Sequence, residues 1–320
     1  MDAGTLSPAP LLYVIAVCCN EEEMIEKTVE ELSVCLHSLI KEKEITENSR
    51  ILIVDDGSSD HTWDLIKTLS KSNPLLSGIR LGLNSGHQNA LMAGMEFAAG
   101  KCDAAITIDG DLQDDPSAIR EMVMKYREGA DLVLAVRENR KSDTWFKRNS
   151  ASSFYRLMTK SGVDCVENHA DYRLLSRRAL DTLLEYGERN LFLRGIVTRL
   201  GLPTATVYYT RREREAGKSK YPLPKMVEFA VDGITSFSVK PVRTLFIIGL
   251  FFMLAALAIG IYTLIRHFSG ETVEGWTSLI LSIWFCTGIL LMGMGVMGEY
   301  IGKIYIEVKK RPRYKIIEEI

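Results

Sequence analysis

Along the first 136 positions, short unbroken apolar runs are separated by segments whose apolar residues return every three or four places. The runs 11–19, 50–54, 78–81, 104–108 and 131–136 have the length and continuity of strands buried on both faces. Between them, 21–37 places Ile25, Val29, Leu32 and Leu36 on one helical face, and 60–69 opens on Asp60, a residue suited to cap a helix. Segments 86–99 and 116–127 complete the set, the latter with Pro116 at a first-turn position. Strands alternating with helices predict an α/β domain on a mostly parallel sheet with flanking helices.

The pattern changes in the last quarter. Residues 244–265 and 277–298 are uncharged runs of 22 residues, each about 33 Å long as a helix and so long enough to span a bilayer. Lys225, Lys240 and Arg243 precede the first run, and Lys303, Lys309, Lys310, Arg311, Arg313 and Lys315 follow the second. By the positive-inside rule, both flanks are expected on the cytoplasmic side, with only a short hairpin crossing. The expected protein is a multi-pass component of the cell's inner (plasma) membrane with its large N-terminal part on the cytoplasmic side. No signal peptide is expected, because residues 1–10 lack a basic n-region. Two further stretches, 144–160 and 226–237, mix aromatic and basic residues in a way that suits helices lying in the membrane interface. The predicted division is an N-terminal cytoplasmic domain over 1–210, a basic loop and juxtamembrane helix over 211–243, two spans over 244–300, and a basic cytoplasmic tail over 301–320.

Charge and cysteine content narrow the chemistry. The net charge of −2 averages an acidic front half against basic patches at 137–148, 211–220 and 303–315, which points to anionic ligands and a membrane surface, not nucleic acid. Six cysteines at 18, 19, 35, 102, 165 and 286 have no metal-ligand spacing, so no structural zinc is expected.

Acidic residues stand at three predicted strand ends: Asn20-Glu21-Glu22, Asp55-Asp56-Gly57-Ser58-Ser59-Asp60 and Asp109-Gly110-Asp111-Leu112-Gln113. Ligands gather at the carboxyl ends of strands in such sheets. Two carboxylates one residue apart suit a hard cation, Mg²⁺ or Mn²⁺, that takes its remaining ligands from water and phosphate. Each motif taken alone also reads as a turn or a helix cap.

In order, Asn20-Glu21-Glu22, Asp55-Asp56-Gly57-Ser58, Asn84-Ser85-Gly86-His87-Gln88 and Asp109-Gly110-Asp111-Leu112-Gln113-Asp114-Asp115-Pro116 resemble a family 2 inverting glycosyltransferase of the GT-A fold. The segment from Arg211 through Lys218 and Lys220 to Pro222, followed by two spans, is similar to the polyprenyl-phosphate glycosyltransferases, the group related to dolichol-phosphate mannose synthase and bactoprenol glucosyltransferases. One departure is Cys18-Cys19, where members commonly carry an aromatic residue before Asn-Glu. The resemblance implies a UDP-sugar donor and an undecaprenyl or related polyprenyl phosphate acceptor. It implies that Asp109 and Asp111 hold the metal against the diphosphate, and that Asn20, Glu21, Asp55 and Asp56 serve the nucleotide sugar. Gln113 would lie near the sugar or the acceptor phosphate. Asp171, in Asn168-His169-Ala170-Asp171-Tyr172-Arg173, would orient the acceptor or act as base, or else simply cap a helix over 172–184. Arg137, Arg148, Arg211, Arg212, Arg214, Lys218 and Lys220 are the candidates for the acceptor phosphate. The spans leave room for a homo-oligomer. The alternatives are a processive polysaccharide synthase, whose Gln/Arg-x-x-Arg-Trp motif is missing around all four tryptophans, and a catalytically silent membrane scaffold.

Overall fold

The computed structural model describes residues 7–137, 169–189, 192–212, 240–269 and 275–320. The first five predicted strands form as β1 (Leu12–Cys18), β2 (Arg50–Asp55), β3 (Leu76–Leu81), β4 (Ala104–Asp109) and β5 (Leu132–Arg137). The helices between them are α1 (Ile25–Lys41), α2 (Thr62–Ser72), α3 (His87–Ala98) and α4 (Ala118–Arg127). After them come β6 (His169–Ser176), α5 (Arg177–Leu184), the short α6 (Leu193–Ile196) and β7 (Thr204–Tyr209). Two long helices, α7 (Lys240–Phe268) and α8 (Trp276–Lys309), precede a last strand, β8 (Ile316–Glu319).

One eight-stranded sheet runs in the order β7-β5-β6-β4-β1-β2-β3-β8. β1 pairs in parallel with β2 and β4, β2 with β3, and β5 with β7, while β6 and β8 run antiparallel to their neighbours. The expected mostly parallel, helix-flanked α/β sheet is therefore present. Alternate residues of each strand feed opposite faces, as the two-residue strand period requires. Val14, Ile51, Ile53 and Ile106 pack with α1, α2 and α4. Ile15, Leu52, Val54 and Ile79 pack with α3 and α5.

Several boundaries differ from expectation. Asp60 accepts from the Thr62 amide at 3.0 Å, but the helix starts at Thr62 and its cap position is His61, so Asp60 stands one residue before the cap. Pro116 precedes α4, whose cap position is Ser117. The helix expected over 172–184 is instead strand β6 as far as Ser176, whose hydroxyl accepts from the Ala179 amide at 3.0 Å and caps α5. The reason is tertiary: β6 is a central strand between β4 and β5, with Tyr172 and Leu174 in one core and Leu175 in the other. Asp171 therefore caps no helix. The basic tail expected over 301–320 also ends differently, because Ile316 and Ile317 supply the strand that completes the open edge of β3.

The long helices carry exposed apolar side chains, including Ile247, Phe251 and Leu254 on α7 and Leu290, Met294 and Ile301 on α8. They touch where the rings of Phe252 and Phe285 meet edge to face, with centroids 5.4 Å apart. Among the described residues one stretch, Phe285–Lys309, is long and apolar enough to cross a membrane, and Ile247–Ile259 is a shorter apolar one. By that measure one of the two expected spans has a candidate among the described residues, and the hairpin is not shown.

Candidate active site

The parallel strands bring the acidic motifs to one edge of the sheet. At the end of β1, Asn20 has a left-handed backbone (φ 53°), and its side-chain oxygen accepts from the Ser59 amide at 2.9 Å. The Glu21 amide donates to the Thr62 hydroxyl at 3.0 Å, so both residues bind the loop after β1 to the loop after β2. Asp55 is fully buried, accepting from the Ser58 amide at 3.1 Å and lying 3.3 Å from the Arg80 guanidinium. Burial raises its pKa, and Ser58 and Arg80 only partly offset this. Asp56 accepts from the amides of Ser85 (2.7 Å) and Gly86 (3.1 Å), and so pins the loop that leads into α3.

That loop delivers His87 to the Asp109-Gly110-Asp111 motif. The His87 Nε2 lies 3.3 Å from Asp109 Oδ1 and 3.6 Å from Asp171 Oδ2. Burial alone would lower its pKa; the carboxylates of Asp171 and Asp109 beside it raise it to about 9. The geometry to Asp109 is that of an ion pair without a hydrogen bond, which leaves this buried oxygen with no hydrogen-bond donor among the described residues. Burial pushes the Asp109 carboxyl up, the His87 charge pulls it down, and Asp114, Asp171 and Asp111 push it up further, to about 6. Asp111 accepts from the Gln113 amide at 3.2 Å across Leu112, itself left-handed at φ 53°.

Mg²⁺ or Mn²⁺ fits this donor set. A buried carboxylate oxygen without a donor, among carboxylates that repel one another, is stabilised by a divalent cation. Among the described residues no group of three or more His, Cys, Asp or Glu side chains could hold a metal ion. Asp109 and Asp111 would thus share the ion with water and phosphate oxygens, the arrangement Mg²⁺ prefers.

Deeper in the edge, Asp171 is neutralised several times over. Arg173 binds its Oδ1, and Arg194 donates to its Oδ2 at 2.9 Å. Burial would raise the Asp171 pKa, but Arg194, His87 and Arg173 hold it well below the usual carboxylate range. It is a poor proton acceptor. His169, 3% exposed, is kept neutral by burial and by Arg173, and is a packed residue.

The arginines predicted for the acceptor divide into two sets. Arg137 donates to Asp114 (3.2 Å) and to the Tyr209 hydroxyl (3.0 Å). Arg212 spans Glu31 and Asp115 at 2.7 and 2.9 Å, while Arg211 reaches the Gln113 side chain. Arg148, Arg214, Lys218 and Lys220 lie outside the described residues, as do segments 144–160 and 226–237. Sequence reasoning gave no role to His87, Arg173 or Arg194. The first two stand inside quoted motifs, whereas nothing local marks Arg194. It arrives because the Leu193 amide donates to Gln88 Oε1 at 2.9 Å, docking α6 on α3.

Residues 13–184 match the sequence profile of Glycosyl transferase family 2. The uncharacterized glycosyltransferase YkoT of Bacillus subtilis (strain 168) is 51% identical over 96% of this chain and 91% of its own length. The bactoprenol glucosyl transferase of Shigella phage SfII is 42% identical over 93% of this chain and 94% of its own. Among solved structures, mannosyl-3-phosphoglycerate synthase from Rubrobacter xylanophilus aligns with a TM-score of 0.49 at 14% identity, covering 73% of this chain and 74% of that one. With a family match over more than half its length and relatives aligned nearly end to end, the chain belongs to glycosyl transferase family 2, in the sequence group of the bactoprenol glucosyl transferases.

Proposed function

We propose that the protein transfers a sugar from a UDP-sugar to undecaprenyl phosphate, or a related polyprenyl phosphate, with inversion, at the cytoplasmic face of the inner membrane. The observation that carries this reading is the state of Asp171, tied to Arg173, Arg194 and His87. An alcohol acceptor needs a base to remove its proton; a phosphate monoester, with a second pKa near 6, is already mostly dianionic at neutral pH. A site whose central carboxylate is held as an ion-paired anion suits the second kind of acceptor. The exposed apolar helices and the names of the bactoprenol relatives support a lipid-borne one.

In this reading Asp109 and Asp111 hold Mg²⁺ or Mn²⁺, which when bound offsets the negative charge that grows on the departing UDP. Asp56 keeps the 84–87 loop in place beside the nucleotide, and Gln113, steadied by Arg211, borders the sugar. Arg137, Arg148, Arg211, Arg212, Arg214, Lys218 and Lys220 supply the positive charge that draws the acceptor phosphate. Asp171 positions that surrounding without taking a proton, and the phosphate oxygen attacks the anomeric carbon opposite UDP.

The test is direct. Purified full-length protein is incubated with Mn²⁺, a panel of UDP-sugars and either undecaprenyl phosphate or the corresponding undecaprenyl alcohol, and the lipid is read by mass spectrometry. One glycosylated polyprenyl phosphate is expected; sugar transfer only to an alcohol acceptor overturns the reading.

A further inference from the structure

β8 enters the sheet at an informative end. It runs antiparallel to β3, with Leu81 opposite Ile316, Arg80 opposite Glu318 and Ile79 opposite Glu319. The first residue of β8 thus meets the last residue of β3, and the Gly82 amide donates to the Lys315 carbonyl at 2.9 Å. The carboxyl ends of β1 to β4 all lie at that edge, which is the edge of the acidic motifs. The chain leaving the apolar helix α8 therefore joins the catalytic sheet on the same edge as Asp109 and Asp111.

The joint is tied at every step. At the helix end the Arg189 amide donates to Glu307 Oε1 at 2.6 Å, and its guanidinium donates to the carbonyls of Arg311 (2.6 Å) and Lys310 (3.3 Å). Arg313, largely buried, donates to the Glu188 carbonyl at 2.8 Å, and the Tyr314 hydroxyl meets Glu96. Along the strand the Trp63 indole donates to Glu318 Oε2 at 2.7 Å, and Lys67 pairs with Glu318 at 3.5 Å. Gly78 and Ile320 exchange both backbone hydrogen bonds, at 3.0 and 2.9 Å. Gly78 is closely packed there: a Cβ would stand 3.1 Å from Ile66 and 3.2 Å from both Ile320 and Trp63, so these side chains would have to shift to admit it.

We propose that β8 and its Arg189 and Arg313 ties form a positioning tether. It holds the active-site edge toward the bilayer that α8 enters and so favours a phosphate borne on a membrane lipid over the same phosphate free in solution. The inference rests on the membrane reading above. A catalytic sheet held at fixed height meets a lipid-borne phosphate at high effective concentration, while one on a slack linker samples many unproductive orientations. A soluble acceptor is indifferent to this constraint.

Three proteins in phospholipid nanodiscs test it: the full chain, the chain lacking residues 316–320, and the chain with a flexible Gly/Ser insert after Arg311 combined with Arg189→Ala and Glu307→Ala, which remove the side-chain ties that precede the insert. The insert leaves β8 free to dock, so it separates tethering from folding. A spin label at Leu83→Cys, an exposed site next to the catalytic edge, in a background without other accessible cysteines, reports proximity to a headgroup-attached nickel chelate. Strong broadening is expected in the full chain and a marked loss in both variants; equal broadening in all three overturns the tether. This arm needs no turnover, so failure of the proposed reaction leaves it decisive. In the activity arm with UDP-glucose, both variants should lose about tenfold or more in kcat/KM for undecaprenyl phosphate in the bilayer, mainly through KM, while a short soluble prenyl phosphate is used unchanged. Equal losses with both acceptors would make β8 a purely structural strand and overturn the proposal. Transfer by the full chain to neither acceptor would count against the proposed function alone.

Discussion

At the scale of single residues the site is a balance of charges around Asp109. His87 is the cation that faces it in the structure, and proton and metal compete for the same carboxylate. Mn²⁺ affinity should strengthen as pH rises through about 6, where Asp109 ionises, and again toward about 9, where His87 loses its charge. Titration calorimetry at stepped pH checks this, and a flat profile would remove Asp109 from the metal site and end the competition with His87. In metal-free protein the signs are opposed to this gain. The folded pKa of Asp109 lies above its ordinary 3.8, so its contribution to stability declines as pH rises from there through about 6. The folded pKa of His87 lies above 6.5, so its contribution is whole below that value and lost as pH rises through about 9. Melting curves with a chelator present should accordingly fall at both steps. Asp111→Asn should lower transfer roughly a hundredfold or more with an unchanged melting temperature. Retained wild-type activity would refute the metal assignment.

At the scale of elements, the precision of the acidic edge comes from how closely the strand-end turns pack. The Gly110 amide donates to the Val17 carbonyl at 3.0 Å, and a Cβ at Gly110 would sit 2.7 Å from that same oxygen. Backbone cannot yield as a flexible side chain can. Gly110→Ala should therefore destabilise the fold by about 1–3 kcal/mol and also displace Asp109 and Asp111. The combination to look for is a lowered melting temperature with a drop in kcat larger than the folded fraction explains; a stability loss without a kcat loss would mean the turn does not set the site. Gly57, left-handed at φ 65°, has the same role between β2 and the 83–84 backbone, where a Cβ would come within 2.6 Å of the Leu83 carbonyl carbon.

At the scale of the whole molecule, the sheet and the apolar helices form one connected unit, because α8 runs into β8 and β8 into the ladder of β3. Exposed Phe251, Leu290, Met294 and Ile301 make the helices poor partners for water. In cells the full chain should remain with the membrane fraction after alkaline carbonate washing and dissolve only with detergent. Its release by carbonate would overturn the proposed membrane placement and, with it, the lipid-borne acceptor.

Residues 11–19, 50–54 and 104–108 were legible as strands because buried parallel strands are written as continuous apolar runs, a local signal. The acids at their ends and the uncharged runs near the C-terminus were legible for the same reason: each is a contiguous stretch of sequence. Strand β6 was not, because its residues also fit the start of a helix and only pairing with β4 and β5 on both sides decides between them. Nor were the links of His87 to Asp109 and Asp171, of Arg194 to Asp171 across 23 positions, or of β8 to β3 across more than 200. Hydrogen bonds and ion pairs act over a few ångströms in space and leave no trace of distance along the chain. The sequence by itself determined an α/β sheet with acidic strand ends and an apolar C-terminal region. The tertiary structure alone decided that Asp171 is a neutralised anion, and that the chain returns from its apolar helix to the edge where the acids stand.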